Sequence, residues 1–344
     1  MPRMREKDDA ATGAGRRVTM ATVGRMAGVS QVTVSRALSD PSKVSPETLR
    51  RIREAIEVTG FVPNAIAGAL ASSRSKLVTA LVPSLTNIVY SSFVTTFSDR
   101  MRARGYQILL SETGFDPAEE EALISTHLSR RPDAMLLTGI HHSAMARRLL
   151  LGAGIPVVEV WDLSDSPIDL CVGFNHAEAG RAVADFAREF GHDTAATVTA
   201  SDERAHRRQR TFSERFAARG GRRVEDVDVG GPASIGAGRR ALAALLDRPS
   251  PSCSVVFCSS DLLAHGVMIE ARSRGMDIPG DLALIGFGDQ DFAQDLDPAL
   301  TSVRVDRTRL GKDAAGALLA RLEHAGAAGP VIDLGFEIVH RAST

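Results

Sequence analysis

Residues 18–71 read VTMATVGRMAGVSQVTVSRALSDPSKVSPETLRRIREAIEVTGFVPNAIAGALA, and this stretch decides the organisation of the chain. A first amphipathic turn around Val23 and Met26 ends at Gly28, and Ser30 then caps a second helix. Gly28-Val29-Ser30 in a tight turn between two short helices is the helix-turn-helix spacing. Ser45 followed by Pro46 opens a third helix as N-cap and first-turn proline. Its apolar face is Leu49, Ile52, Ala55 and Ile56, and Gly60 supplies the stop. The second helix of such a motif enters the major groove and offers its first residues to base edges. Here these are Gln31 and Val32, with Arg36 one turn further on. Glutamine can bond an adenine edge, valine can touch a thymine methyl and arginine can take guanine O6 and N7. Val32 is read as a base contact rather than core, because Val34, Ala37 and Leu38 already make a buried face.

Charge agrees with a nucleic-acid-binding N-terminus. Residues 1–76 carry 13 Lys/Arg against 7 Asp/Glu, a net +6, whereas residues 77–344 carry 28 against 35, a net −7. A basic module on an acidic body suits a protein that meets phosphate at one end only. Residues 1–17, rich in charge, Gly and Ala, read as a disordered tail. Cys171, Cys253 and Cys258 lack CxxC spacing and are odd in number, so they read as reduced core or near-core thiols of a cytoplasmic protein. The sequence shows neither a signal-peptide h-region nor 18 consecutive apolar residues, so no membrane is expected as a partner.

From Leu77 onward, short β-branched runs alternate with helix-length amphipathic segments, the pattern of parallel α/β sheets. Strands are expected at 77–82, 107–110, 134–137, 157–160, 195–198, 254–257 and 282–285. Helices are expected at 90–104, 117–130, 143–152, 177–190, 206–218, 236–247 and 262–274. Open α/β sheets bind ligands at the carboxyl ends of their strands. Those ends carry Ser84-Leu85-Thr86-Asn87, Glu112, Thr138, Glu159-Val160-Trp161-Asp162, Asn175, Ser259-Ser260-Asp261 and Gly288-Asp289, small polar and acidic groups suited to a polyhydroxylated molecule. An enzyme finds little support, for GxSxG, Walker A and HExxH are all missing. Gly236-Ala237-Gly238 mimics a dinucleotide fingerprint but follows no convincing strand; Ser234 capping a helix is the better account. His141-His142 lack partners at ligand spacing and read as a solvated loop, so neither metal nor cofactor is expected.

GVSQVTVSRAL, KVSPETLRRI and GFVPNAIAGAL together resemble the headpiece of the lactose/galactose repressor family, and the rest of the chain is similar in order and length. LVPSLTNIVYSSF (81–93), IPVVEVWD (155–162), VGFNHAEAGR (172–181) and VIDLGFEI (331–338) point to its gluconate-operon repressor branch. The resemblance implies an all-α helix-turn-helix headpiece (18–63) and a hinge helix and linker (64–76). It implies further a bilobed, periplasmic-binding-protein-like α/β effector and dimerisation domain (77–344) of two Rossmann-like parallel-sheet lobes. It places Thr19, Ser30, Thr33, Ser35 and Ser45 at positions that touch phosphate or cap helices. Asn64 becomes the N-cap of the hinge helix and Leu70 its minor-groove wedge. Ala65 and Gly68 stand where the family often has basic residues, which weakens phosphate contact and helix propensity. Gln31-Val32 differs from the pair in gluconate repressors, so operator identity does not transfer.

For the effector, the resemblance puts Arg208 before the Thr211-Phe212 step and Asp261 after the strand at 254–257, the one to clamp a carboxylate and the other to accept hydroxyls. Arg207 and Arg210 compete with Arg208 for the role within HRRQR. Trp161 reads equally as pocket lining or core, Thr86 as pocket or helix cap, Asn175 as pocket or turn, and Tyr90 as a further pocket candidate. The expected protein is a cytoplasmic bacterial transcriptional regulator, a repressor. It would be homodimeric with tetramers possible, and would bind pseudo-palindromic double-stranded operator DNA under control of a gluconate-like sugar acid. A regulator answering a neutral or phosphorylated sugar, a solute-binding protein and an α/β enzyme are the alternatives, and the sequence leaves open whether the effector weakens or tightens DNA binding.

Overall fold

A computed structural model describes residues 18–63, 74–248, 253–323 and 331–344. It separates into two compact units, Met1–Ser75 and Lys76–Thr344.

In the first unit, α1 (Met20–Ala27), α2 (Gln31–Ser39) and α3 (Pro46–Thr59) enclose a small core of Val23, Ala27, Val34, Ala37, Ile52, Ala55 and Phe61. Each helix starts on a hydroxyl cap that takes up an otherwise orphaned amide: Thr19 accepts from Thr22 N, Ser30 from Thr33 N and Ser45 from Thr48 N. Gly28 closes α1 in the left-handed region at φ 66°, which sets the tight turn into α2. Two expectations are corrected. Met26 is 54% exposed, because the buried stripe of α1 runs through Val23 and Ala27 and Met26 falls beside it. Leu38 is exposed, because α2 ends one residue later and only Val34 and Ala37 face the core.

The second unit holds two sheets of six strands. The first lobe is built on β1 (Leu77–Val82), β2 (Gln107–Glu112), β3 (Ala134–Thr138), β4 (Val157–Val160) and β5 (Leu170–Gly173), with β11 (Val331–Asp333) at its edge, in the order β11-β5-β4-β3-β1-β2 and parallel throughout. The second is built on β6 (Thr194–Thr199), β7 (Arg223–Asp228), β8 (Val255–Cys258), β9 (Ala283–Phe287), β10 (Thr301–Arg304) and an antiparallel β12 (Glu337–Val339), in the order β12-β10-β9-β8-β6-β7. Both are doubly wound orders that reverse direction beside their first strand, where ligand crevices open. Alternate residues feed opposite faces, as a two-residue period requires. Val78, Ala80 and Val82 enter one core and Leu81 another, and Val256 and Cys258 part from Val255 and Phe257 in the same way.

The helices are α4 (Ile88–Arg102), α5 (Pro117–Leu128), α6 (Ala144–Ala153), α7 (His176–Glu189), α8 (Glu203–Ala218), α9 (Ile235–Leu246), α10 (Asp261–Ser273) and α11 (Arg307–Glu323). The chain crosses between lobes at 174–175, 305–306 and 334–336, so α11 returns to pack on α4 in the first lobe. Seven strands and seven helices stand close to their expected places. β5, β7, β10, β11, β12 and α11 are additions. Of the Gly236/Gly238 pair, Gly238 serves helix packing: a Cβ there would lie 2.1 Å from Leu263 O on α10, and Ser234 caps α9.

Candidate functional sites: the reading helix and the interlobe cleft

The headpiece divides its polar residues by task. Gln31, Val32, Ser35 and Arg36 lie on the exposed side of α2, and Val32, 66% exposed, stands outside the headpiece core. Ser30 and Thr33 hydroxyls bond each other at 2.9 Å while Ser30 caps the helix. Thr19 forms a reciprocal capping box with Thr22. Ser45 caps α3 and donates to Thr48. Asn64 and Leu70, the hinge candidates, lie outside the described residues.

Between the lobes, at the carboxyl ends of β1, β2, β4, β6, β8 and β9, lies a cavity of about 510 Å³. Its walls carry four aromatic rings (Tyr90, Phe115, Trp161, Phe287), the hydroxyls of Ser84, Thr86, Ser201 and Ser260, and two arginines, Arg204 and Arg208. Both arginines come from α8. They are four residues apart and therefore share a face. Asp202 caps that helix through Ala205 N, and α8 lies against α7 so closely that a Cβ on Gly180 would sit 2.3 Å from Arg208 O. Glycine there fixes where the arginines point.

Arg208 is buried, and among the described residues its ion pairs number none. Its Nη1 donates to His176 Nδ1 at 2.7 Å, its Nη2 to Ser259 O at 3.2 Å, and its guanidinium lies 3.8 Å from the centre of the Phe287 ring. Its Nε, also buried, has no hydrogen-bond partner. Burial pulls the guanidinium down to about 10, far enough above neutrality that it stays charged. Burial likewise pushes His176 well below its ordinary range, with Arg208 adding to the effect. The imidazole is therefore neutral, its Nε2–H donating to Trp161 O at 2.7 Å and its Nδ1 free to accept from Arg208. Arg204 donates to Tyr90 OH at 2.9 Å, and its nearest carboxylate, that of Asp202, stands 3.9 Å away. The cavity thus presents two cations, Arg204 and Arg208, beside two carboxylates, Glu112 and Asp202; among the described residues Arg208 is bonded directly only by neutral groups, while Asp202 and Asp162 act on it from a distance.

The other candidates sort clearly. Trp161, at φ 70° and 4% exposed, both lines the cavity and packs edge-on against Tyr90 and Phe93. Thr86 lines the cavity, while Asn87 performs the capping of α4. Asn175 is the N-cap of α7 and does not line the cavity. Asp261 also stands outside the lining: its oxygens accept from Gln290 N at 2.7 Å and Ser302 Oγ at 2.6 Å, inside the second lobe. Arg207 faces the rim and Asp162, and Arg210 is exposed. Arg204 was missed by the sequence reading, although its i,i−4 relation to Arg208 was the available signal.

The solvated reading of His141-His142 is corrected for one of the two. His142 has a side chain 1% exposed, set between Glu120 Oε2 at 2.9 Å and Glu159 Oε1 at 3.3 Å. Burial alone would lower its pKa, but the hydrogen bonds and charges of the two glutamates outweigh it and raise it to about 9. The adjacent Glu121 accepts from Ser143 Oγ, so two of the glutamates at 119–121 are committed inside the lobe. Among the described residues no helix is long and apolar enough to cross a membrane.

Known proteins supply the remaining context. Residues 19–64 match the family model of bacterial regulatory proteins, lacI family, and residues 184–344 that of a periplasmic binding protein-like domain. The chain is 34% identical over 341 residues to the HTH-type transcriptional regulator GntR of Pseudomonas aeruginosa, covering 98% of this chain and 99% of that one. It is 32% identical over 324 residues to GntR of Escherichia coli, covering 94% and 97%. A crystal structure of a LacI-family transcriptional regulator from Silicibacter pomeroyi superposes with a TM-score of 0.88 at 33% identity, covering 95% of this chain and 99% of that one. With near-complete coverage at this identity, and a helix-turn-helix ahead of a bilobed binding fold, the chain belongs to the LacI family and is a DNA-binding transcriptional regulator.

Proposed function

We propose that this protein is a homodimeric, cytoplasmic repressor whose operator affinity is lowered by a small sugar acid of the gluconate type. The observation that carries the ligand class is Arg208. A buried guanidinium with no carboxylate in direct contact is costly to desolvate, and an anionic ligand entering the cavity would offset that cost beyond what the more distant Asp202 and Asp162 supply. Arg208 and the neighbouring Arg204 line the cavity and offer positive charge to the carboxylate. The hydroxyl-bearing and aromatic walls suit a polyol chain, whose hydroxyls need partners and whose C–H faces stack on rings. The likeness to GntR regulators supports the same class. Asp261, committed to Gln290 and Ser302, leaves hydroxyl recognition to Ser84, Thr86, Ser201 and Ser260.

In this reading Gln31, Val32 and Arg36 read bases, the capping hydroxyls of Thr19, Ser30 and Ser45 hold register against phosphate, and Asn64 to Leu70 form the hinge contact. A ligand that spans both lobes favours one lobe arrangement and so biases DNA affinity, which requires only differential affinity for two states. Calorimetry tests the ligand class. Gluconate should bind the wild type and lose roughly tenfold or more in affinity in Arg208→Met, as expected for a charge-assisted contact. Glucose binding as tightly as gluconate would remove the carboxylate from the account.

A further inference from the structure

Four groups meet at the rim of the cleft, outside the effector cavity. Arg207 of α8 in the second lobe donates from Nη1 to Asp162 Oδ1 at 3.0 Å and lies 2.7 Å from His141 Nε2, both in the first lobe. It also pairs with Glu203 one turn earlier on its own helix. Glu203 Oε2 reaches His141 Nε2 at 3.3 Å, so two residues from each lobe interlock. His141, Asp162 and Glu203 bring a ligand atom each within 4.8 Å of one another, but the Arg207 guanidinium bonds all three and supplies the positive charge there. Asp162 is the unusual member. Its side chain is 1% exposed, its Oδ1 also accepts from Leu163 N at 2.8 Å, and its buried Oδ2 has no hydrogen-bond partner.

We propose that Arg207 and Asp162 form a latch that holds the two lobes together over the effector cavity and sets how readily it opens. Parting the lobes hydrates the Asp162 carboxylate, so the closed arrangement is favourable only while Arg207 compensates it. With Arg207 removed, closure leaves an unpaired buried charge, the arrangement most strongly disfavoured in a low-dielectric interior. Removing the carboxylate as well takes that penalty away. The latch regulates the cavity assigned above, and only its ligand-affinity arm rests on the sugar-acid reading.

Trp161, the only tryptophan, adjoins Asp162 in the cleft wall and reports opening without a label. Acrylamide quenching of the ligand-free, full-length protein should be weak in the wild type. It should rise toward that of a solvated indole in Arg207→Gln, return toward wild type in Arg207→Gln/Asp162→Asn, and stay unchanged in Arg210→Gln. Arg207→Lys, which keeps a cation but loses the fork, should fall between and serves if Arg207→Gln proves unstable to heat. Gluconate affinity should fall about tenfold in Arg207→Gln, as expected from a closed population reduced by that factor. Quenching equal to wild type in both Arg207 variants, or a double variant as open as Arg207→Gln, overturns the latch. Wild-type protein that ignores gluconate but shows the quenching pattern overturns the ligand class and leaves the latch standing.

Discussion

Raising the pH should selectively weaken the first lobe through His142. In the folded protein its pKa is raised to about 9 by Glu120 and Glu159 against the opposing effect of burial, compared with 6.5 for an unperturbed histidine. A group whose folded pKa lies above its unfolded value binds a proton more tightly when folded. Its stabilisation is therefore complete below pH 6.5 and disappears as the pH climbs through 9. A difference of about 2.5 units at 1.36 kcal/mol each amounts to roughly 3 kcal/mol, lost at about 1.4 kcal/mol per pH unit in between. Urea unfolding of the wild type and of His142→Gln, measured from pH 6 to 9.5, isolates this contribution because other titrating groups cancel in the comparison. The stability advantage of the wild type should shrink across that range. An advantage independent of pH would mean that His142 is neutral and that the Glu120–His142–Glu159 arrangement owes nothing to charge.

Gln31→Ala and Val32→Ala should each relax preference at one base pair per half-site by roughly 1–3 kcal/mol, measured by binding to a library of operator variants, while leaving headpiece stability unchanged. Thr19→Ala removes the cap of α1 and should lower headpiece stability by about 1 kcal/mol, read by thermal unfolding, with base preference retained. Asp261→Ala strands Gln290 N and Ser302 Oγ and should destabilise the body by about 1–3 kcal/mol while changing gluconate affinity far less than Arg208→Met does. Loss of gluconate affinity in Asp261→Ala equal to that in Arg208→Met would return Asp261 to the ligand.

The sequence made some elements plain because a single physical signal dominated each. LVTALV, AMLLT and VVEV are buried on both faces and therefore mostly apolar, with Glu159 the buried charge among them, and the caps at Thr19, Ser30 and Ser45 are hydroxyls at helix starts. RVEDVD was missed because β7 is an edge strand whose exposed side carries charge. β11 and β12 are three residues each, too short for a period to emerge. In the site, Arg208 was legible and Arg204 was not, since the run HRRQR drew the choice toward its own members. The helical face instead pairs 204 with 208. Asp261 looked like a ligand group because it follows a strand, yet Gln290 in the loop after β9 and Ser302 on β10 take both its oxygens. His142 looked solvated because its partners, Glu120 and Glu159, are 22 and 17 residues away, and only the sheet brings them together.

The central claim is that the headpiece binds DNA and that the Arg208 cavity controls it. Fluorescence anisotropy with an operator duplex selected from random sequence, titrated with and without saturating gluconate, measures both at once. Wild-type affinity should fall by about 5- to 150-fold on adding gluconate, the usual range of coupling between two sites. Arg208→Met should bind the duplex as tightly as the wild type without gluconate and show no response to it. An equal gluconate response in Arg208→Met, or gluconate tightening the wild-type complex, would contradict the account.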